Sequence, residues 1–250
     1  MFEGAGLAVH TYPYYDARSG GLKFGAMCDA LRALPPQSIV LLHACCHNPT
    51  GVDLTLDQWR QLVPLLEKRR LLPFVDVAYQ GFGDGIDADA YAARLFAGAT
   101  SPVFLSSSFS KSLSLYGERV GAFSLVAGSA DEAARALSQV KRIVRTNCAN
   151  PPTHGGDIVA RVLTTPELRA LWEQELGGMR ERIKAMRKAL ADGIQKRVPG
   201  ADWSFVLRQN GLFSYTGLTK AQVERLRAEY SIYAIETGRI CVAALNAKNI

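Results

Sequence analysis

Short apolar runs of strand length alternate with longer stretches of helical period along most of this chain. That alternation constrains the fold to an α/β sheet, because a helix between two strands returns the chain for parallel pairing. Ile39-Val40-Leu41-Leu42-His43 is continuous and β-branched at its start, the pattern of a buried parallel strand. Leu72 to Asp76, Val103 to Leu105 and Gly121 to Val126 supply three more candidate strands. Thr55 with Gln58 three residues on has the form of a capping box and predicts a helix running towards Arg70, kinked at Pro64. Further helix is expected over residues 130–145 and 165–197, while residues 203–250 mix strand and helix. The expected organisation is a large unit over residues 1–177, a mostly parallel sheet flanked by helices. A smaller α+β unit follows over residues 178–250, with the change near Gly177-Gly178.

Composition narrows the classes of function. The net charge of +6 admits an anionic partner, but the densest basic stretch, Arg180 to Arg197, is interleaved with Ile183, Met186, Leu190 and Ile194 at helical spacing. That is a solvated helix face, and no nucleic-acid partner is expected from it. Five cysteines, an odd number with two adjacent and no framework spacing, read as reduced thiols of a cytoplasmic protein. No apolar run approaches the roughly 18 residues of a membrane span, and Met1-Phe2-Glu3-Gly4 lacks the regions of a signal peptide. His43, Cys45, Cys46 and His47 are metal-ligand types. Strand neighbours point to opposite faces, however, so the four are expected to support a site wall, with no metal. Gly81, Gly83 and Gly85 lack the strand–glycine–helix order of a dinucleotide fingerprint.

Four groups sit where strands give way to loops, the edge at which open α/β sheets bind ligands. They are Asn48; Asp76 with Tyr79; Ser108 with Lys111 and Arg119; and Arg239. Around them stand His43-Ala44-Cys45-Cys46-His47-Asn48-Pro49-Thr50-Gly51, Asp76-Val77-Ala78-Tyr79-Gln80-Gly81-Phe82, Ser108-Phe109-Ser110-Lys111 and Tyr116-Gly117-Glu118-Arg119-Val120-Gly121. Asn150-Pro151-Pro152 and Gly238-Arg239-Ile240 complete the series. In order and spacing these six motifs resemble the aspartate and aromatic-amino-acid aminotransferases, the class I branch of fold-type-I pyridoxal-phosphate enzymes.

The resemblance implies a function and a role for each position. The expected reaction moves an amino group between aspartate, glutamate or an aromatic amino acid and a 2-oxo acid, with pyridoxal 5'-phosphate as cofactor. Lys111 is implied as the Schiff-base lysine and proton shuttle. Asp76 is implied as the partner of the pyridine nitrogen, and Tyr79 and Asn48 as donors to the ring oxygen. Ser108 and Arg119 are implied as phosphate ligands, and Arg239 with Asn48 as the clamp on the substrate α-carboxylate. Arg145 is implied as an arginine lent across a homodimer interface to a side-chain carboxylate. The Asn48-Pro49 bond is a candidate cis peptide. Another reaction on the same cofactor, a β-lyase or decarboxylase, and a catalytically impaired fragment are the alternatives; two carboxylate clamps favour the first reading. The resemblance also implies sequence before and after these 250 residues, including a phosphate-cupping loop at a helix N-terminus. On that account the chain alone is expected to be weakly active and prone to aggregate.

Overall fold

A computed structural model describes residues 2–99 and 102–250; Met1, where the expected large unit begins, lies outside the described residues. Near the N-terminus β1 (Tyr15–Asp16) and β2 (Gly21–Leu22) form a small antiparallel hairpin, followed by α1 (Phe24–Ala33). The main sheet is built from β3 (Ile39–His43), β4 (Leu72–Val77), β5 (Val103–Ser108) and β6 (Gly121–Val126), in that spatial order. β3, β4 and β5 run parallel and β6 closes the edge antiparallel. Helices α2 (Leu56–Arg69), α3 (Ile86–Asp89) and α4 (Tyr91–Ala99) fill the crossovers. Then come α5 (Ala130–Cys148), α6 (His154–Thr164) and α7 (Pro166–Arg197), and finally β7 (Phe213–Tyr215), α8 (Lys220–Tyr230) and β8 (Arg239–Cys241).

The expected strands fall where the apolar runs are. α2 starts at Thr55 with both halves of the capping box present: Thr55 Oγ1 accepts from Gln58 N, and Gln58 Oε1 accepts from Thr55 N. The helix continues through Pro64 to Arg69. α6 is an element that the sequence pattern did not mark, and α7 runs unbroken through Gly177 and Gly178, so the expected change of unit lies inside a helix.

One face of the sheet carries the main core. Val40, Leu42, Val75 and Val77 point to that face and pack with Met27, Leu31, Trp59, Leu62, Leu66 and Phe96 from α1, α2 and α4. A second core lies at the strand ends, where Cys45, Cys46, Tyr79 and Phe82 meet Leu176 and Ile183 of α7 and Val242 beyond β8. The other sheet face is open among the described residues: Ile39 is 43% and Phe123 51% exposed, and Phe74, Phe104 and Phe123 form an aromatic ladder there. Among those residues no helix is long and apolar enough to cross a membrane.

Candidate active site

Because β3, β4 and β5 are parallel, their C-terminal ends lie on one edge, and the loops that follow carry the candidate residues. Asp76 pairs in register with His43 on one side and Ser106 on the other. Tyr79 is buried three residues further on, and the ammonium of Lys111 lies 4.9 Å from the centre of its ring. At that distance a cation is attracted to the π-face. Lys111 itself stands in a turn two residues beyond Phe109, and that turn is held from outside: the indole Nε1 of Trp172, on α7, donates to Ser112 O at 2.6 Å.

Asn48 and Arg239 are 191 residues apart in sequence, and the fold joins them. The guanidinium Nη1 of Arg239 donates to Asn48 Oδ1 at 2.7 Å. That contact fixes the amide, so Asn48 Nδ2 is left as a donor towards whatever occupies the edge. The guanidinium carbon of Arg239 also lies 4.3 Å from the ring centre of Phe213, and Phe213 meets Tyr79 edge-on at 6.1 Å. Phe213 was not singled out from sequence; as an aromatic on a short strand it carried no signal until Arg239 was placed against it. The Asn48–Pro49 bond is cis.

Burial pushes the Tyr79 phenol above its ordinary range, with the positive charge of Arg239 pulling it back. The phenol is therefore neutral and a donor at ordinary pH. His43 is pushed down by burial against the opposing pull of Asp76, and its Nδ1 accepts from Asn48 N at 3.3 Å. His47 is stacked on Tyr14 at 4.0 Å, shares a 2.8 Å hydrogen bond between Nδ1 and Thr50 Oγ1, and is pushed down to about 3 by desolvation. Both rings are neutral near neutral pH; only His43 lies on the strand, since β3 ends there and Cys45, Cys46 and His47 belong to the loop that follows, contrary to the expected strand alternation.

The remaining candidates stand further out. Ser108 ends β5, and its hydroxyl accepts from Ser110 N at 3.3 Å, which leaves its own proton free to donate. Arg119 is exposed, with a left-handed backbone (φ 53°), and its Nη1 donates to Tyr116 O at 3.1 Å. Arg145 stands exposed in the last turn of α5, and among the described residues its side chain makes no hydrogen bond or ion pair and no contact brings it to the others. Cys45 and Cys46 do gather, but with Asp89 in place of the histidines, their ligand atoms within 4.8 Å of one another. The Asp89 carboxylate there already accepts the backbone N–H groups of Gly81, Gly83 and Asp84.

The sequence model of the family described as aminotransferase class I and II matches residues 1–250. The chain belongs to that family. It is 60% identical to an aspartate aminotransferase of Pseudomonas aeruginosa and 50% identical to an aromatic-amino-acid aminotransferase of Escherichia coli, in each case over all of this chain and 63% of the relative. Among solved structures it superposes with TM-score 0.97 and 61% identity on an aromatic-amino-acid aminotransferase from Burkholderia pseudomallei, a protein described as covalently bound to pyridoxal phosphate. That match covers 99% of this chain and 62% of the other. The chain thus spans about 63% of the length of the curated relatives it matches. The fold class expected from its sequence agrees with those structures.

Proposed function

We propose that this chain carries the cofactor and substrate sites of a pyridoxal-phosphate-dependent aminotransferase. The substrates would be aspartate, glutamate or an aromatic amino acid together with a 2-oxo acid. The observation that carries the reading is the convergence at one sheet edge of the Lys111 amine over Tyr79, the Asp76 carboxylate, and the Arg239–Asn48 pair. The donor set fits the group: an amine to attach it, a carboxylate for its ring nitrogen, neutral donors for its ring oxygen, and a hydroxyl and a guanidinium for its phosphate. When bound, pyridoxal phosphate supplies an electron sink for the bond being broken at the substrate α-carbon.

The chain's own residues then divide the work. With the cofactor bound, Lys111 Nζ would carry the proton to and from the α-carbon; its turn is pinned by Trp172. Asp76 would hold a proton at the ring nitrogen, and Tyr79 Oη and Asn48 Nδ2 would donate to the ring oxygen. Ser108 Oγ and Arg119 take the phosphate. Arg239 offers its remaining guanidinium N–H groups to the substrate α-carboxylate, a planar match that an ammonium cannot make. Arg145, exposed at its helix end, serves the site of a second copy, so the working form is a homodimer in the cytoplasm. Residues 1–177 act as the large unit and residues 178–250 as the small one, joined through α7.

Borohydride trapping tests the assignment. The purified chain, incubated with pyridoxal phosphate, reduced and digested, should yield a modified peptide at Lys111 by mass spectrometry, and the Lys111→Ala variant should yield none. Labelling scattered over surface lysines would sink the reading.

A further inference from the structure

Asp53 lies outside every group assigned above, yet it stands where the two halves of the carboxylate clamp meet. Its Oδ2 accepts from Cys46 N and its Oδ1 from His47 N, both at 2.8 Å. Those are the two residues before Asn48, and Cys46 has a left-handed backbone (φ 52°) unusual for a residue with a side chain. Successive amides converging on one carboxylate form an anion nest, and here the anion is built in. Asp53 Oδ2 also accepts from Asn210 Nδ2 at 3.2 Å, across 157 residues of sequence.

Asn210 leads into β7, and Tyr215 of β7 pairs in register with Arg239 of β8. The junction is tight on both sides. Asn210 N donates to Gly51 O at 2.6 Å, and a Cβ added at Gly51 would lie 2.9 Å from Gln209 Cβ. A Cβ at Gly211 would collide with Cys46. From behind, the buried Arg187 of α7 donates Nη1 to Val206 O, and Nη2 to Gly211 O and Phe213 O, so the segment cannot slide away from the loop.

We propose that Asp53 is a positioning residue for substrate: its carboxylate joins the loop that carries Asn48 to the strand pair that carries Arg239, and so sets the geometry with which the pair grips a 2-oxo acid. The inference rests on the reading of Asn48 and Arg239 as the carboxylate clamp. Asp53→Asn keeps size and shape but turns one acceptor into a donor that faces an N–H. Asp89, the last residue of α3, supplies the comparison: it lies beside the Cys46 thiol, but its buried carboxylate accepts its three hydrogen bonds from Gly81, Gly83 and Asp84 rather than from the Cys46 and His47 amides.

The test is calorimetric titration of the cofactor-free full chain with 2-oxoglutarate, alongside thermal unfolding. Asp53→Asn should weaken binding roughly tenfold to a hundredfold, as expected for one misplaced charged hydrogen bond. Asp89→Asn should lower the unfolding temperature comparably and leave the affinity within about twofold. Asn210→Ala, which leaves the loop amides in place, should reproduce part of the loss and add nothing to Asp53→Asn. It decides the question if Asp53→Asn does not fold. Wild-type affinity in Asp53→Asn and Asn210→Ala, or equal weakening in Asp89→Asn, overturns the proposal while the clamp stands. No binding by the wild-type chain, or undiminished binding by Arg239→Ala, overturns the clamp itself and the proposal with it.

Discussion

The amide of Asn48 has a donor end and an acceptor end, and Arg239 uses the acceptor. At this scale the pair behaves as one group: the guanidinium is aligned by the amide, backed by the Phe213 ring, and left with free N–H groups. Arg239→Lys keeps the charge and loses both the fork and the stacking, so 2-oxoglutarate binding should weaken by roughly tenfold or more, measurable by the same calorimetry. His47 gives a prediction with a sign. Its folded value, about 3, is below the ordinary 6.5. Between those values the unfolded chain binds the extra proton, so the stability it contributes is complete above pH 6.5 and is lost as pH falls towards 3. The slope is at most about 1.4 kcal/mol per pH unit. In denaturant titrations from pH 7 to pH 4, the stability advantage of the wild-type chain over His47→Asn should shrink steadily; a constant difference would show that His47 is not desolvated. Asp53 and Asp89, pushed up by burial, act in the opposite direction in both proteins and cancel in the comparison.

At the scale of elements, local chemistry was readable and distant contact was not. Each of the four main strands contains a short apolar run, and the start of α2 is written in Thr55 and Gln58. Thr55→Ala should therefore cost about 1 kcal/mol of stability in denaturant unfolding without altering cofactor labelling. α6 escaped because its first residues, His154-Gly155-Gly156, follow Asn150-Pro151-Pro152-Thr153 and look like loop. Gly155 packs against Glu118 and Val120 so closely that a Cβ there would meet Glu118 Cβ at 2.8 Å, a tertiary contact that the sequence does not display. Lys111, Asp76, Tyr79, Asn48 and Arg239 could be named from motif order because each motif is short and contiguous. Phe213, Trp172 and Asp53 could not, because what they do depends on partners between 60 and 157 residues away, or on an aromatic contact that no spacing encodes.

At the scale of the whole molecule the two sheet faces differ. Helices cover one; on the other, Ile39, Leu41 and Phe123 are exposed beside Phe74 and Phe104. An apolar patch of linked aromatics on a sheet face favours association. Phe123→Ser combined with Leu41→Ser should reduce light scattering and binding of a hydrophobic dye by the isolated chain, and leave its far-ultraviolet circular dichroism unchanged. Undiminished scattering would place the sticky surface elsewhere.

α7 has 32 residues, and it touches the amine side of the edge through Trp172 and the carboxylate side through Arg187. Between them Arg180 reaches Gly81 O, and Arg182 reaches Ala243 O and Leu245 O. A helix turns about 100° per residue and advances about 1.5 Å. These contacts are therefore locked in phase, like wards cut on one key. A single residue inserted at Gly177–Gly178 would leave Trp172 in place and rotate every later contact out of its socket, so this stretch should accept substitutions far more readily than changes of length.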